Sequence, residues 1–123
     1  MKCSAVVLIL SLVLLTGCDP KIRAQASIAP RVLASYEAAQ LAHIAETGIL
    51  GELEDLIFMS DESDMWDYSE QSVGVYRATI KRTARIFEAG DYIETHISEN
   101  GLISRTNNNP EAVQRYLPNW MLY

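Results

Sequence analysis

The sequence is poor in positive charge. It contains 10 Lys and Arg residues against 16 Asp and Glu, which gives a formal net charge of -6 and a pI near 4.8. Proteins that bind nucleic acid neutralise phosphates with clustered Lys and Arg, often beside aromatic side chains that stack on bases. The sequence has neither a Lys/Arg run nor such an alternation, so we expect no nucleic-acid partner.

The short motifs of common enzyme classes are also missing. There is no Gly-x-Ser-x-Gly motif, no glycine-rich loop followed by Lys and Ser or Thr, and no His or Cys spacing typical of a zinc site. His43 is predicted to fill a packing position on a helix, and His96 to lie on the exposed face of a strand. We therefore expect a protein that is not an enzyme and that has no resident cofactor.

Long hydrophobic runs are limited to one, Ala5 to Leu15, which only Ser11 interrupts and which follows Lys2. As a helix these residues would span about 16 Å, well short of the ~30 Å hydrocarbon core of a bilayer. A short apolar run behind a positive residue is typical of a signal peptide. Residues 1–17 are therefore predicted to be a signal peptide and not a transmembrane helix.

Cysteine is scarce: Cys3 and Cys18 are the only two. The four residues Leu15-Thr16-Gly17-Cys18 resemble the lipobox of bacterial lipoproteins. The resemblance implies cleavage between Gly17 and Cys18, a diacylglycerol on the Cys18 thiol and an N-acyl chain such as palmitate on the new amino terminus. Two or more such chains anchor a protein firmly without spanning the membrane. An ordinary secretory signal with an incidental cysteine is the alternative.

The lipobox resemblance also bears on where the protein resides. It implies a cell-envelope lipoprotein, anchored in the inner or outer membrane and facing the periplasm or the exterior. Asp19 resembles the inner-membrane retention signal of enterobacteria, but that rule does not extend to all bacteria. Cys3 would be removed with the signal peptide, so no disulfide is expected in the mature chain.

Helical periodicity follows a polar stretch. Residues 18–28 are predicted to be the lipidated cysteine and a tether, and residues 29–123 a single domain. Apolar residues at spacings of three and four predict a helix from about 30 to 47, with Gly48 as its C-cap. A second short helical turn is predicted within residues 51–59.

From Met65 the periodicity changes from helical to alternating. Residues 65–69, 73–87, 91–98 and 102–106 are rich in aromatic and β-branched residues and are predicted to be strands, with turns at 88–91 and 99–101. The tail is predicted to be loop plus a helical turn that packs back on the domain. The fold class is therefore α+β: one N-terminal amphipathic helix on a three- to four-stranded antiparallel sheet.

Parts of the predicted domain resemble the globular head of type IV pilins and of type II secretion pseudopilins. The resemblance rests on the segments SYEAAQLA (35–42) and AETG (45–48), on the aromatic strand at Trp66 and Tyr68, and on the Ala-Gly-Asp turn before Tyr92. It implies a pilin-like head. The N-terminal filament helix of pilins is absent, so the resemblance does not extend to filament assembly.

Two charged clusters are candidate binding sites. The acidic loop offers Asp61, Glu62, Asp64 and Asp67 as oxygen ligands for calcium, although a solvated acidic loop is the preferred interpretation of these residues. The basic row Arg77, Lys81 and Arg85 is predicted to form cross-strand ion pairs with Glu94, or else a docking surface for an acidic partner or a lipid head group.

Together these features predict a membrane-anchored, non-catalytic structural or interaction module of the cell envelope. Its partners would be other envelope proteins, and it would be an accessory to a type IV pilus or a type II secretion system. The alternative is a surface lipoprotein that binds a small ligand or calcium.

Overall fold

The computed structural model describes residues 20–59 and 63–120, whose main elements are a long helix and the four-stranded sheet on which it packs. Helix α1 comprises Ile28–Thr47. It ends at Gly48, which has a φ of 81° and donates its N–H to the carbonyl of Ile44 at 2.7 Å. Glycine adopts this left-handed conformation at little cost, so it ends a helix well. The predicted helix and its C-cap are confirmed.

Residues 20–26 are helical as well, where the sequence predicted a tether. The Ser27 N–H still donates to the Arg23 carbonyl at 2.9 Å, so this turn leads almost directly into α1. Ile22, Ala26 and Ala29 follow helical spacing, and the two alanines are completely buried. The packing of these small residues against the core explains why the segment is not extended. Residues 1–19, including the predicted cleavage site, lie outside the described residues.

The sheet is an antiparallel meander in the order β1-β2-β3-β4. In the register of the sheet, Ala78 of the second strand lies opposite Tyr68 of the first strand and Ile93 of the third. The predicted α+β class and antiparallel sheet are confirmed. The strands are β1 (Trp66–Ser72), β2 (Val75–Ile80), β3 (Tyr92–Ile97) and β4 (Ile103–Asn107).

Strand β2 ends at Ile80, so the prediction of one strand over residues 73–87 was wrong. The chain leaves the sheet there and makes a tight reversal between Ala84 and Phe87, whose backbones exchange hydrogen bonds of 2.9 and 3.0 Å. Arg85 lies inside the reversal with a φ of 59°. The strand-like alternation of residues 81–87 therefore belongs to a loop, in which Phe87 turns inward and is 1% exposed.

The segment after α1 is mostly extended. Between residues 48 and 59 it contains only the 3-10 turn Leu53–Asp55, which has no buried residue, and Ile57 is 96% exposed. The predicted second helical turn is thus reduced to these three residues. Phe58 ends the segment with its ring edge-on to Tyr36 and Tyr76, which fixes the segment to the middle of α1.

The core lies between α1 and the central strands β2 and β3. Val32, Leu33 and Tyr36 of the helix are completely buried, and the sheet supplies residues such as Ala78 and Ile93. Burial of side chains of the size of Val32, Leu33 and Ile93 contributes about 1.5–3 kcal/mol each. The interior of the domain thus depends on contacts between distant parts of the chain.

The C-terminal segment packs back on this core, as predicted. Helix α2 (Pro110–Tyr116) begins at Asn109, whose side chain accepts a hydrogen bond from the Ala112 N–H. An N-cap residue of this kind satisfies a backbone donor that the helix cannot satisfy itself. Beyond α2, Leu117 and Trp120 are 5% and 3% exposed. Met121 and Leu122 lie outside the described residues.

Candidate functional site

A buried ion pair joins the helix to the last strand. Glu37 of α1 accepts a hydrogen bond from Arg105 Nε of β4 at 2.9 Å, and a second contact joins Arg105 Nη2 to the other carboxylate oxygen. Thr95 Oγ1 donates to the same carboxylate at 2.6 Å. The Glu37 and Arg105 side chains are only 6% and 7% exposed. This two-pronged geometry satisfies a buried carboxylate well, and it fixes α1 to β3 and β4.

Arg105 also holds the C-terminal segment. Its Nη1 donates to the Trp120 carbonyl at 3.0 Å, and its guanidinium carbon lies 4.4 Å from the centre of the Trp120 ring. A guanidinium over an indole face is attracted by the ring electrons. One arginine therefore joins the first helix, the last strand and the end of the described chain.

A groove of about 370 Å³ lies beside this cluster. It runs between the first turns of α1 and the segment after α2, and most of its lining is apolar. Arg31 and Arg105 are the charged residues on its wall. The lining residues are Ser27, Pro30, Arg31, Ala34, Arg105, Tyr116, Leu117, Pro118, Asn119 and Trp120.

A second buried polar cluster surrounds Tyr36. Its hydroxyl accepts hydrogen bonds from the Gly74 N–H at 3.1 Å and from Gln40 at 3.0 Å, and it donates to Glu70 at 3.0 Å. Burial raises the pKa of Tyr36 from 10.0 to about 12, and the Glu70 carboxylate also raises it. Burial raises the pKa of Tyr76 too, whose ring stacks on Tyr36 at 4.6 Å. The raised pKa keeps the Tyr36 hydroxyl protonated over a wider pH range, as a hydrogen-bonding group that holds α1 to the turn between β1 and β2.

This cluster predicts an alkaline loss of stability. The pKa of Tyr36 is higher in the folded protein than in the unfolded chain. The contribution of Tyr36 to the free energy of unfolding is therefore complete below about pH 10 and is lost as the pH rises toward 12. Tyr36→Phe should cost about 1–3 kcal/mol at neutral pH, since buried donors lose their acceptor. The variant should also lose less stability than the wild type above about pH 10, a difference of up to about 2–3 kcal/mol. Urea unfolding across this range measures both effects, and parallel curves for the two proteins would contradict the assignment.

The basic row predicted from sequence is divided between strand and loop. Arg77 of β2 pairs with Glu94 of β3 at 2.7 Å, which confirms the cross-strand pairing for this residue. His96 Nε2 lies 2.7 Å from the other oxygen of Glu94. Glu94 is only 6% exposed, because these neighbours cover it. The Arg77 guanidinium also lies 3.9 Å from the centre of the Tyr92 ring.

The other two members of that row lie in the loop after β2. Lys81 Nζ lies 2.7 Å from the Ser63 carbonyl and 3.8 Å from an Asp67 carboxylate oxygen. Arg85 lies in the reversal at positive φ. The prediction of one continuous basic row on the sheet is therefore wrong, because the strand that was to carry it ends at Ile80.

The acidic candidates for calcium are only partly described. Asp61 and Glu62 lie outside the described residues. Asp64 is exposed, and Asp67 faces Lys81 as given above. Within residues 20–59 and 63–120, no group of three His, Cys, Asp or Glu side chains is arranged to hold a metal ion.

His43 has a local role at the end of α1. Its Nδ1 lies 3.0 Å from the Ile49 carbonyl and 3.2 Å from Thr47 Oγ1, and its ring leaves no room for a β-carbon on Gly51. Gln40 completes the arrangement by exchanging two hydrogen bonds with the Gly51 backbone, at 2.8 and 2.9 Å. The loop after α1 is thereby held against the helix end.

The end of the domain where α1 stops carries several exposed apolar side chains, which sequence reasoning missed. We call this end of the domain the distal pole. It comprises the apolar residues Leu41, Ile49, Val73 and Leu102 and the carboxylates of Glu46, Glu52 and Glu99. These four apolar side chains are 38%, 60%, 44% and 69% exposed. They come from α1, from the loop after it and from the two hairpin turns, so no local periodicity brings them together.

The membrane anchor expected at Cys18 lies outside the described residues. Across residues 20–59 and 63–120, no helix combines the length and the hydropathy that a membrane span requires. Comparison with known proteins found no matching family model, no matching curated protein and no matching solved structure.

Proposed function

We propose that the protein is a cell-envelope lipoprotein, anchored by lipid at Cys18, whose domain acts as a non-catalytic interaction module. One observation carries the proposal: the two ends of the domain along the axis of α1 differ in the side chains that they expose. The described helical segment reaches back to Pro20, and four of the seven exposed large apolar side chains among the described residues, Leu41, Ile49, Val73 and Leu102, lie toward the opposite end of α1. Twenty residues of helix span about 30 Å, so an anchor near residue 18 would leave the distal pole facing away from the membrane.

The buried polar groups described above fit such a module. Glu37, Arg105, Tyr36 and Gln40 are each engaged in contacts between secondary-structure elements. Groups used in this way fix the relative positions of α1, the hairpin turns and the C-terminal segment. This supports a role as a rigid scaffold, in which the exposed surface contacts partners and the interior provides stability.

The helical start of the domain affects how it would be held. Pro20, two residues after Cys18, is already helical, so a lipid at Cys18 would be attached close to this helical segment. A flexible tether would let the head rotate freely, whereas a helix restricts its orientation. The proposed module would therefore present its distal pole at a nearly fixed height above the bilayer surface.

The proposal extends to the cellular context and to one alternative. The order of motifs that resembles pilin heads supports an accessory role beside a type IV pilus or a type II secretion system. The groove next to Arg31 and Arg105 supports the alternative, a lipoprotein that binds a small ligand with an apolar body and a negative group. Genes for a prepilin peptidase or a secretion ATPase beside this gene would favour the first, and transporter genes the second.

Metabolic labelling with palmitate tests the anchor. We expect the wild-type protein to be labelled and to fractionate with membranes, and Cys18→Ala to be unlabelled, because no other residue of the lipobox can accept the diacylglycerol. Cys3→Ala is the matched control and should remain labelled and membrane-bound. An unlabelled wild-type protein in the soluble fraction would refute the anchor.

A further inference from the structure

The segments that carry the four apolar side chains of the distal pole are in contact with one another. A β-carbon built on Gly101 would lie 3.3 Å from Leu41 Cδ2, so the β3-β4 turn that carries Leu102 rests on α1. A β-carbon on Gly74 would lie 3.1 Å from Leu50 Cδ1, so the loop after α1 rests on the β1-β2 turn that carries Val73. The four side chains therefore belong to one end of the molecule.

The charge at this end is entirely negative. Glu46, Glu52 and Glu99 are exposed and belong to the same chain segments as the apolar side chains. The three segments that build the pole, residues 41–55, 70–76 and 97–103, contain no Lys or Arg. Exposed apolar side chains at one end of a domain, together with charge of one sign, are features of a protein-protein contact surface.

We propose that the distal pole is a docking surface for a polypeptide segment that presents apolar side chains flanked by Lys and Arg. The apolar side chains would supply the contact area, and the three carboxylates would favour basic partners over acidic ones. The inference rests on the proposed function, because it takes the distal pole as the end that faces away from the anchor.

The same charge argues against other occupants. Anionic lipid head groups and nucleic acid would be repelled by the carboxylates. A second copy of this chain would bring an identical acidic pole against the first, which places like charges together. A basic, partly apolar polypeptide is the occupant that matches both the exposed apolar side chains and the negative charge.

The experiment is a fluorescence anisotropy titration of the full chain, purified from cells, with a labelled helical peptide of Leu and Lys. A Leu/Glu peptide and a Lys/Ser peptide serve as comparisons. We expect the Leu/Lys peptide to bind best, and the double variant Ile49→Ser, Leu102→Ser to weaken it about tenfold or more, since two exposed contacts are lost. Glu99→Gln should weaken binding at low salt and much less at high salt.

Matched control variants show whether the effect belongs to the pole. Ile57→Ser removes a side chain that is 96% exposed on the extended segment after the 3-10 turn, and Glu111→Gln removes an exposed carboxylate in the first turn of α2. Both controls should bind like the wild type. The pole variants change exposed positions, and circular dichroism with thermal unfolding checks that they fold.

Four results would overturn the inference. These are equal peptide affinity in pole and control variants, equal affinity for the Leu/Glu peptide, binding to phosphatidylglycerol vesicles in place of the peptide, and sedimentation showing self-association that Leu102→Ser abolishes. The palmitate experiment reports on Cys18 alone. A failed anchor and a failed docking surface therefore give separate results.

Discussion

Replacing Arg105 with methionine is expected to lower the free energy of unfolding by about 3–5 kcal/mol, because the Glu37 carboxylate would remain buried without its partner. Thr95 would still donate one hydrogen bond to that carboxylate, but one neutral donor does not replace a two-pronged guanidinium. The contacts of Arg105 with the carbonyl and ring of Trp120 would be lost as well. The free energy of unfolding of a whole domain is about 5–15 kcal/mol, so this substitution would remove a large part of it.

Urea unfolding of three further variants separates the causes. Lys81→Met removes a partner of the more exposed pair with Asp67, where N and O lie 3.8 Å apart, and should cost no more than about 1 kcal/mol. The double variant Glu37→Leu, Arg105→Met removes both charges and should recover most of the loss, because no unpaired charge remains. Trp120→Leu reports the ring contact separately. If Arg105→Met unfolds at the same urea concentration as the wild type, the pair contributes nothing to the fold.

Substitution of Gly74 by alanine is expected to cost about 2–5 kcal/mol, from two causes that add. Gly74 has a φ of 89°, a conformation that strains any residue with a β-carbon, at about 1–2 kcal/mol. The new carbon would also lie 2.7 Å from the Ile97 carbonyl oxygen, a backbone atom that cannot move aside. The same turn donates the Gly74 N–H to Tyr36, so movement of the turn would weaken that contact too.

Gly90→Ala is the matched control for this prediction. Gly90 has a similar φ of 96°, but a β-carbon there meets nothing within 4 Å. Its substitution should show the backbone strain alone, about 1–2 kcal/mol. Thermal and urea unfolding of the two variants would give the cost of the close contact as their difference. Equal losses in both would mean that the β1-β2 turn relaxes freely around the added carbon.

The parts of the fold that local pattern determines were predictable, and the others were not. The 3.6-residue period located α1, and the Gly48 cap marked its end because glycine alone adopts that conformation cheaply. The alternation of apolar and basic residues over 81–87 led to the wrong prediction of a strand, because a tight reversal can carry the same alternation. No Gly, Pro or Asn marks this turn, and Arg85 takes the positive φ itself.

The candidate sites show the same division. The pairing of Arg77 with Glu94 follows from strand alternation and was expected. The pairing of Glu37 with Arg105 joins residues that are 68 positions apart, and no local pattern connects them. The distal pole likewise arises only when hairpin turns meet the end of α1. The helical residues 20–26 could have been found, since Ile22, Ala26 and Ala29 continue the helical spacing of Leu33.

The ion pair between Glu37 and Arg105 also has a consequence for the order in which the domain is completed. A chain that is made from its amino terminus produces Glu37 early and Arg105 late. Until β4 has formed, the helix carries a carboxylate that is costly to bury, so α1 cannot dock fully on the sheet. Contacts between such distant residues also slow folding. We therefore expect the docking of α1 and the addition of β4 to the sheet to be coupled, because the ion pair forms only when both elements are in place.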